Sequence, residues 1–222
     1  MNAWHFLQAD KRLRYDGRRV RVGQTLKAKG EIVLCENGMH ASTRLIDALK
    51  YAPGPIICRV DVRGEIVRGD NKIAGRERTV EWMIGGEGLL HRFACRVAEN
   101  ALRRAGVTDE RCWNAINTKL KWLRGEATDQ ELTAARSAAW AAARAAASDA
   151  AWAAARAAAW AAARAAAWDA ARDAAWDAAR AAAWDAARAA AWDAARDEHN
   201  RILTAMVVAE RRKTAAAEGA KR

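Results

Sequence analysis

The stretch CENGMHAS places Cys35, His40 and Ser42 within eight residues of one another. A thiol beside an imidazole is the smallest nucleophile–base pair, and it works when the two side chains lie within hydrogen-bond reach. No neighbouring acid stands out as the group that would orient the imidazole. A turn holding a buried cysteine and a structural histidine fits the same letters. Further on, GRERTVEWM sets Glu77 and Glu81 four residues apart. Paired carboxylates can perform general acid–base work, although Arg76 and Arg78 beside them offer ordinary surface ion pairing. Near the start, KRLRYDGRRVRVG gathers Lys11, Arg12, Arg14, Arg18, Arg19 and Arg21 around Tyr15. Such a run can meet phosphates or form a solvated hairpin. The cysteines Cys35, Cys58, Cys95 and Cys112 are far apart with no CxxC pair. That spacing speaks against a zinc module and for reduced, buried thiols in a cytosolic protein. No metal and no cofactor is expected.

The elements that must position these groups divide at residue 86. Both prolines and most glycines lie before it, and MIGGEGLL supplies a glycine-rich hinge. The expected fold is α+β: a small α+β domain over residues 1–86, then a helical, Ala-rich domain over 87–222. Within the first, EIVLC (31–35) reads as a strand ended by the turn ENG. STRLIDALKYA reads as a helix capped by Ser42 or Thr43, and PGP stops it. IICRVDVRGEIV reads as a strand pair turning at Arg63-Gly64, with Cys58, Val60 and Val62 on one face. Within the second, residues 88–105 form an amphipathic helix with the stripe Leu89, Leu90, Phe93, Val97, Ala98 and Leu102, ended by Gly106. Residues 109–124 form another, N-capped by Asp109 and striped by Trp113, Ile116, Leu120 and Leu123. Thr128 and Glu131 have the spacing of a capping box that starts a third.

From residue 136 to 196 a large residue recurs at every fourth position, Ser148 being the lone small member. The series includes Arg136, Trp140, Arg144, Trp152, Arg156, Trp160, Arg164, Trp168 and Trp176. Ala fills most of the gaps and predicts helix. Residues four apart are helical neighbours, so Trp and Arg alternate in a cation–π column. Four residues advance a helix by about 400°, so each rung drifts by about 40°. A straight rod would therefore spread its Trp side chains around the whole circumference. Either the helix winds right-handedly around a partner, or the chain breaks into shorter helices, with Ser148-Asp149 the best corner. The ladder could serve as a nucleic-acid platform. The Asp residues that follow most later rungs would repel phosphate, and core Trp among solvated charges is the plainer reading.

The formal net charge is +11 with a pI of about 10.1, and residues 1–86 carry +6 of it (16 Lys and Arg against 10 Asp and Glu). This balance favours an acidic partner, a protein first and nucleic acid second. The N-terminus lacks the apolar core of a signal peptide, and no window is apolar enough for a membrane span. A cytoplasmic protein is expected.

Two resemblances follow from these residues. FACRVAENALRRAGVTDERCWNAINTKLKWLRGEATDQELTAARSAAWAAARAAA, with DEHNRILTAMVVAERR after the ladder, resembles the Imm-five-like immunity proteins over about residues 88–212. The match is best at Trp122, Gly125, Glu126 and Glu131. It implies an all-helical, antitoxin-like protein-binding role in bacterial or phage conflict, with no catalytic residues. GEIVLCENGMHASTRLIDALKYAPGPIICRVDVRGEIVRGDNKIAGRERTV resembles an uncharacterised domain of phage and prophage proteins. The positions that match are Cys35, Gly38, His40, Ala41, Tyr51, Pro53, Gly54, Val60 and Gly64. The order strand, GxHxS, helix, strand is also similar to ADP-ribosyltransferase folds. That likeness implies NAD binding near His40 and Ser42, with Glu77 or Glu81 as the acid. The expectation that results is a non-enzymatic interaction protein engaging an acidic partner, with an NAD-binding enzyme or a basic nucleic-acid binder as alternatives. Its contact residues would be Trp152, Arg156, Trp160, Arg164, Trp168 and Trp176, and the helical repeat could also self-associate.

Overall fold

A computed structural model describes residues 1–145, 152, 156 and 188–220. The architecture is α+β: an antiparallel sheet formed by the N-terminal residues is followed by helices. Two compact units are present, Met1–Glu87 together with Leu203–Arg222, and Gly88–Ile202. The composition break near residue 86 falls beside the first of these boundaries. The segment from Leu203 onward groups with the sheet, whereas the composition assigns it to the helical part.

The sheet is built on a long hairpin, β4 (Ile56–Arg68) and β5 (Ile73–Gly85). β1 (Asn2–Leu7) lies on the outer edge of β4, while β2 (Thr25–Lys27) and β3 (Met39–Ala41) both pair with β5. Residue alternation sends Ala3 and Leu7 of β1 and Ile56, Cys58, Val60 and Val62 of β4 to one core face, with Val80 of β5. The opposite face carries Phe6 and Ile57, and α1 (Leu45–Lys50) packs against β1.

Several expectations for this unit are corrected. Arg63-Gly64 does not turn the chain. Gly64, at φ +77°, sits where β4 has one residue more than β5, and the left-handed conformation serves a bulge as readily as a hairpin turn. The turn comes later, closed by Gly69 N–H to the Lys72 carbonyl at 2.9 Å. EIVLC is not a strand. Its end curls into a tight turn in which Val33 and Asn37 bridge and Cys35 takes φ +77°. Neither Ser42 nor Thr43 caps α1: the N-cap is Arg44, whose side chain makes no capping hydrogen bond. Ser42 is instead tied to β1 through reciprocal backbone bonds with Trp4 at 2.7 and 2.9 Å.

The helical part follows its expected pattern closely. α2 (Glu87–Arg104) buries the whole stripe from Leu89 to Leu102. α3 (Glu110–Trp122) begins at Asp109, whose carboxylate accepts from the Arg111 N–H at 2.9 Å. Its buried stripe is Cys112, Ala115, Ile116, Thr118 and Lys119, so Trp113 and Leu120 are only half-buried at the flank. α4 (Asp129–Ala145) starts with a complete capping box: the Thr128 N–H donates to Glu131 Oε2 at 2.7 Å, and the Glu131 N–H donates to Thr128 Oγ1 at 3.2 Å. Ala115, Leu132 and Ala139 form a small core covered by Trp122 and Trp140. The last described helix, α5, is Arg188–Gly219. Arg136, Trp140 and Arg144 therefore ride on α4, and Arg188 and Arg196 on α5. The corner at Ser148-Asp149, and the choice between one ladder helix and several, lie outside the described residues.

Candidate functional site

Chemistry-bearing side chains gather on the core face of the sheet. His5 stands on β1 opposite Cys58, His40 on β3 opposite Ala74, and Arg78 on β5 opposite Leu26 and Val62. Alternation alone aims His5, Cys58 and Arg78 at the same side. Arg78 is 3% exposed, and its Nη1 donates to the His40 carbonyl at 2.5 Å. Its Nε is buried without a hydrogen-bond partner, and among the described residues no carboxylate forms an ion pair with it. Burial pulls the guanidinium pKa down to about 10. Burial, and then the charge of Arg78, hold His5 neutral well below the usual imidazole range. His40 is lowered by burial and by Lys72 and Arg78. Cys58 is pushed up to about 12 by burial, which leaves it an inert thiol.

The loop candidates are arranged differently from a catalytic dyad. The Cys35 backbone N–H, and not its thiol, donates to His40 Nε2 at 3.1 Å. This bond fixes the His40 ring against the turn. Cys35 is exposed, which corrects the expectation of four buried thiols; Cys58, Cys95 and Cys112 are buried, and all are free. Lys72 reaches the Cys35 side chain, and this contact raises its pKa. Its ammonium also lies 4.8 Å from the Tyr51 ring centroid.

Glu77 and Glu81 do not act as a carboxylate pair. Glu77 is on the face opposite Arg78 and is salt-bridged to Lys27 at 2.6 Å. Glu81 is the extra residue of a bulge, between Val80 and Trp82, and lies 3.9 Å from Arg59. Their partners are Lys27 and Arg59, so the acid implied by the ADP-ribosyltransferase likeness is not assembled with His40 and Ser42. His5 and Arg78, in contrast, escape a reading by motif. Their signal is phase: His5 falls in step with Ala3 and Leu7 of β1, and Arg78 in step with Ala74 and Val80 of β5.

Residues 8–24 form an arm along this unit. Arg12 and Arg19 bridge, and the Leu13 N–H donates to the Arg18 carbonyl at 2.9 Å, giving the hairpin allowed for this run. Arg18 is paired with Asp16 at 2.6 Å and Arg12 approaches Asp10 at 3.6 Å. Tyr15 at the tip is 94% exposed. On the ladder, the Arg156 guanidinium stacks over Trp152 at 5.3 Å, and Trp152 is 40% exposed. Trp160, Arg164, Trp168 and Trp176 lie outside the described residues. Among the described residues no cluster of His, Cys, Asp and Glu could hold a metal ion, and no helix is long and apolar enough to cross a membrane.

Residues 1–92 match the family model of a domain of unknown function, DUF7666. No curated protein and no solved structure matches the chain. The family match thus covers the sheet, the arm and the start of α2.

Proposed function

We propose that the chain is a non-enzymatic protein-interaction module, of the immunity-like or phage–host conflict kind, that engages an acidic partner protein. The observation that carries this reading is the arm. Lys11, Arg14, Arg19 and Arg21 are exposed and, among the described residues, join no ion pair. Beside them stands Tyr15, an aromatic side chain almost wholly in water. Tyr and Arg are the residue types enriched where binding energy concentrates, and unneutralised cations steer acidic partners. The Trp/Arg ladder would act as scaffold, with Arg156 stacked over Trp152 inside it.

Affinity capture from a bacterial host extract, with and without nuclease, tests this reading. A nuclease-resistant acidic protein should be retained by the wild type and lost with Arg14→Glu or Tyr15→Ala. Retention that vanishes with nuclease, and an affinity falling steeply with salt on a nucleic acid, would support the nucleic-acid alternative instead. The enzyme reading has one specific support, the meeting of His5, His40 and Arg78 on a single sheet face. Its test is NAD binding by calorimetry, lost with His40→Ala.

A further inference from the structure

The sheet unit contains a pocket of about 470 Å³, within the ordinary range for small-molecule sites. Its cations are Lys11, Arg19 and Arg21, and its apolar lining is Val20, Val22 and Met83. The arm's backbone sets these groups. The Val20 N–H donates to the Lys11 carbonyl at 2.9 Å, which places Lys11 beside the residue that Arg19 and Arg21 flank. Gln24 Oε1 accepts from the Arg21 N–H at 2.9 Å, and the Gly23 N–H donates to the β5 carbonyl of Val80 at 2.7 Å. The cations are therefore anchored to the sheet and not strung on a free tail. The carboxylate lining the pocket, Glu218, is already engaged with Arg211 at 3.2 Å. Positive charge is left over.

We infer that this pocket binds a small organic phosphate, its phosphate held by Lys11, Arg19 and Arg21 and its organic part resting on Val20, Val22 and Met83. Guanidinium groups bind phosphate oxygens through paired N–H donors, and a dianion answers several clustered cations better than a single carboxylate does. The buried Arg78 reinforces the choice. Its charge and that of Lys11 both act on Cys58, so the field beneath the pocket is positive as well. The proposal goes beyond partner docking: it shares Lys11, Arg19 and Arg21 with that reading, but Arg14 and Tyr15, on which the docking test turns, do not line the pocket.

The experiment is calorimetric titration of the full chain with AMP and with adenosine at low salt. AMP should bind, and adenosine at least tenfold more weakly. Arg19→Ala/Arg21→Ala should weaken AMP at least tenfold, with helix and sheet circular dichroism unchanged. Glu218→Gln should tighten AMP by several-fold, because a competing negative charge leaves the pocket. Arg14→Ala is the control for bulk charge and should leave AMP affinity unchanged. The proposal is overturned if AMP fails to bind at millimolar concentration or adenosine binds equally well. It is also overturned if Arg14→Ala costs as much as the pocket variant.

Discussion

Each unit buries a cation and holds two histidines with lowered pKa, half-buried in the sheet and buried among the helices, and the two units accommodate them differently. In the sheet, Arg78 sits among His5, His40 and Cys58, with one nitrogen bonded to a carbonyl and Nε left over. In the helical unit, Lys119 is fully buried with its ammonium 4.0 Å from the Trp122 ring centroid, and His91 stands edge-on to the same ring. An aromatic face supplies part of the solvation a buried ammonium has lost. Among the described residues no aromatic ring stacks on Arg78 in this way. The contrast teaches where polarity has a structural outlet and where it remains available to a ligand.

Acid should expose the contrast most strongly. Burial holds His91 and His199 at about 4, against an ordinary 6.5. A folded pKa below the unfolded one means the unfolded chain binds more protons in that interval. The stabilisation is complete above pH 6.5 and is lost as pH falls toward 4. The loss is on the order of 3 kcal/mol for each histidine at the acid end. Urea unfolding followed by helix circular dichroism should give a much lower midpoint at pH 4.5 than at pH 7. His91→Gln with His199→Gln should flatten that slope. An unchanged slope would mean the helical unit does not depend on neutral histidines. His5 and His40 are lowered too, so the sheet should weaken over the same direction of pH.

The sheet's own weak point is steric. A Cβ at Gly75 would lie 2.2 Å from Val62 Cγ1, across the β4–β5 pair. Gly75→Val should therefore cost about 3 kcal/mol by overpacking, read as a lower urea midpoint for the tryptophan fluorescence of Trp4 and Trp82. Adding Val62→Ala should recover part of that loss. A double-mutant cycle with no coupling would show that the clash is relieved elsewhere. No equivalent is expected in the helical core, where Ala115 and Ala139 already leave the contact surfaces small.

The same contrast explains what could be read from sequence. α2, α3 and α4 were legible because helix signals are local: Asp109 caps, Thr128 and Glu131 box, and Gly106 ends a turn at φ +62°. β5 was not legible, because Arg76, Glu77, Arg78, Thr79 and Glu81 hide its two-residue period behind charge. β1 is equally hard to read, although His5 is in phase with Ala3 and Leu7. Pairing partners lie far apart in sequence, so the convergence of His5, His40 and Arg78 depends on register that no short motif encodes. The turn around His40 marks it as a candidate, whereas nothing local marks His5 or Arg78.

The smallest expected effect tests the local half of the comparison. Thr128 and Glu131 satisfy each other's N–H groups at the start of α4, and both are exposed. Thr128→Ala removes the Oγ1 acceptor and leaves the Glu131 N–H to water, at a cost of about 1 kcal/mol. Glu131→Gln keeps an acceptor for the Thr128 N–H but loses the charge near the helix N-terminus, and should cost less. Measured by urea unfolding at pH 7, the order should be wild type, then Glu131→Gln, then Thr128→Ala. Raising salt should narrow the gap for Glu131→Gln alone, because screening acts on the charge and not on the neutral hydroxyl bond. If Thr128→Ala proved neutral, packing by Leu132 against Ala115 and Ala139 would be holding the start of α4 by itself.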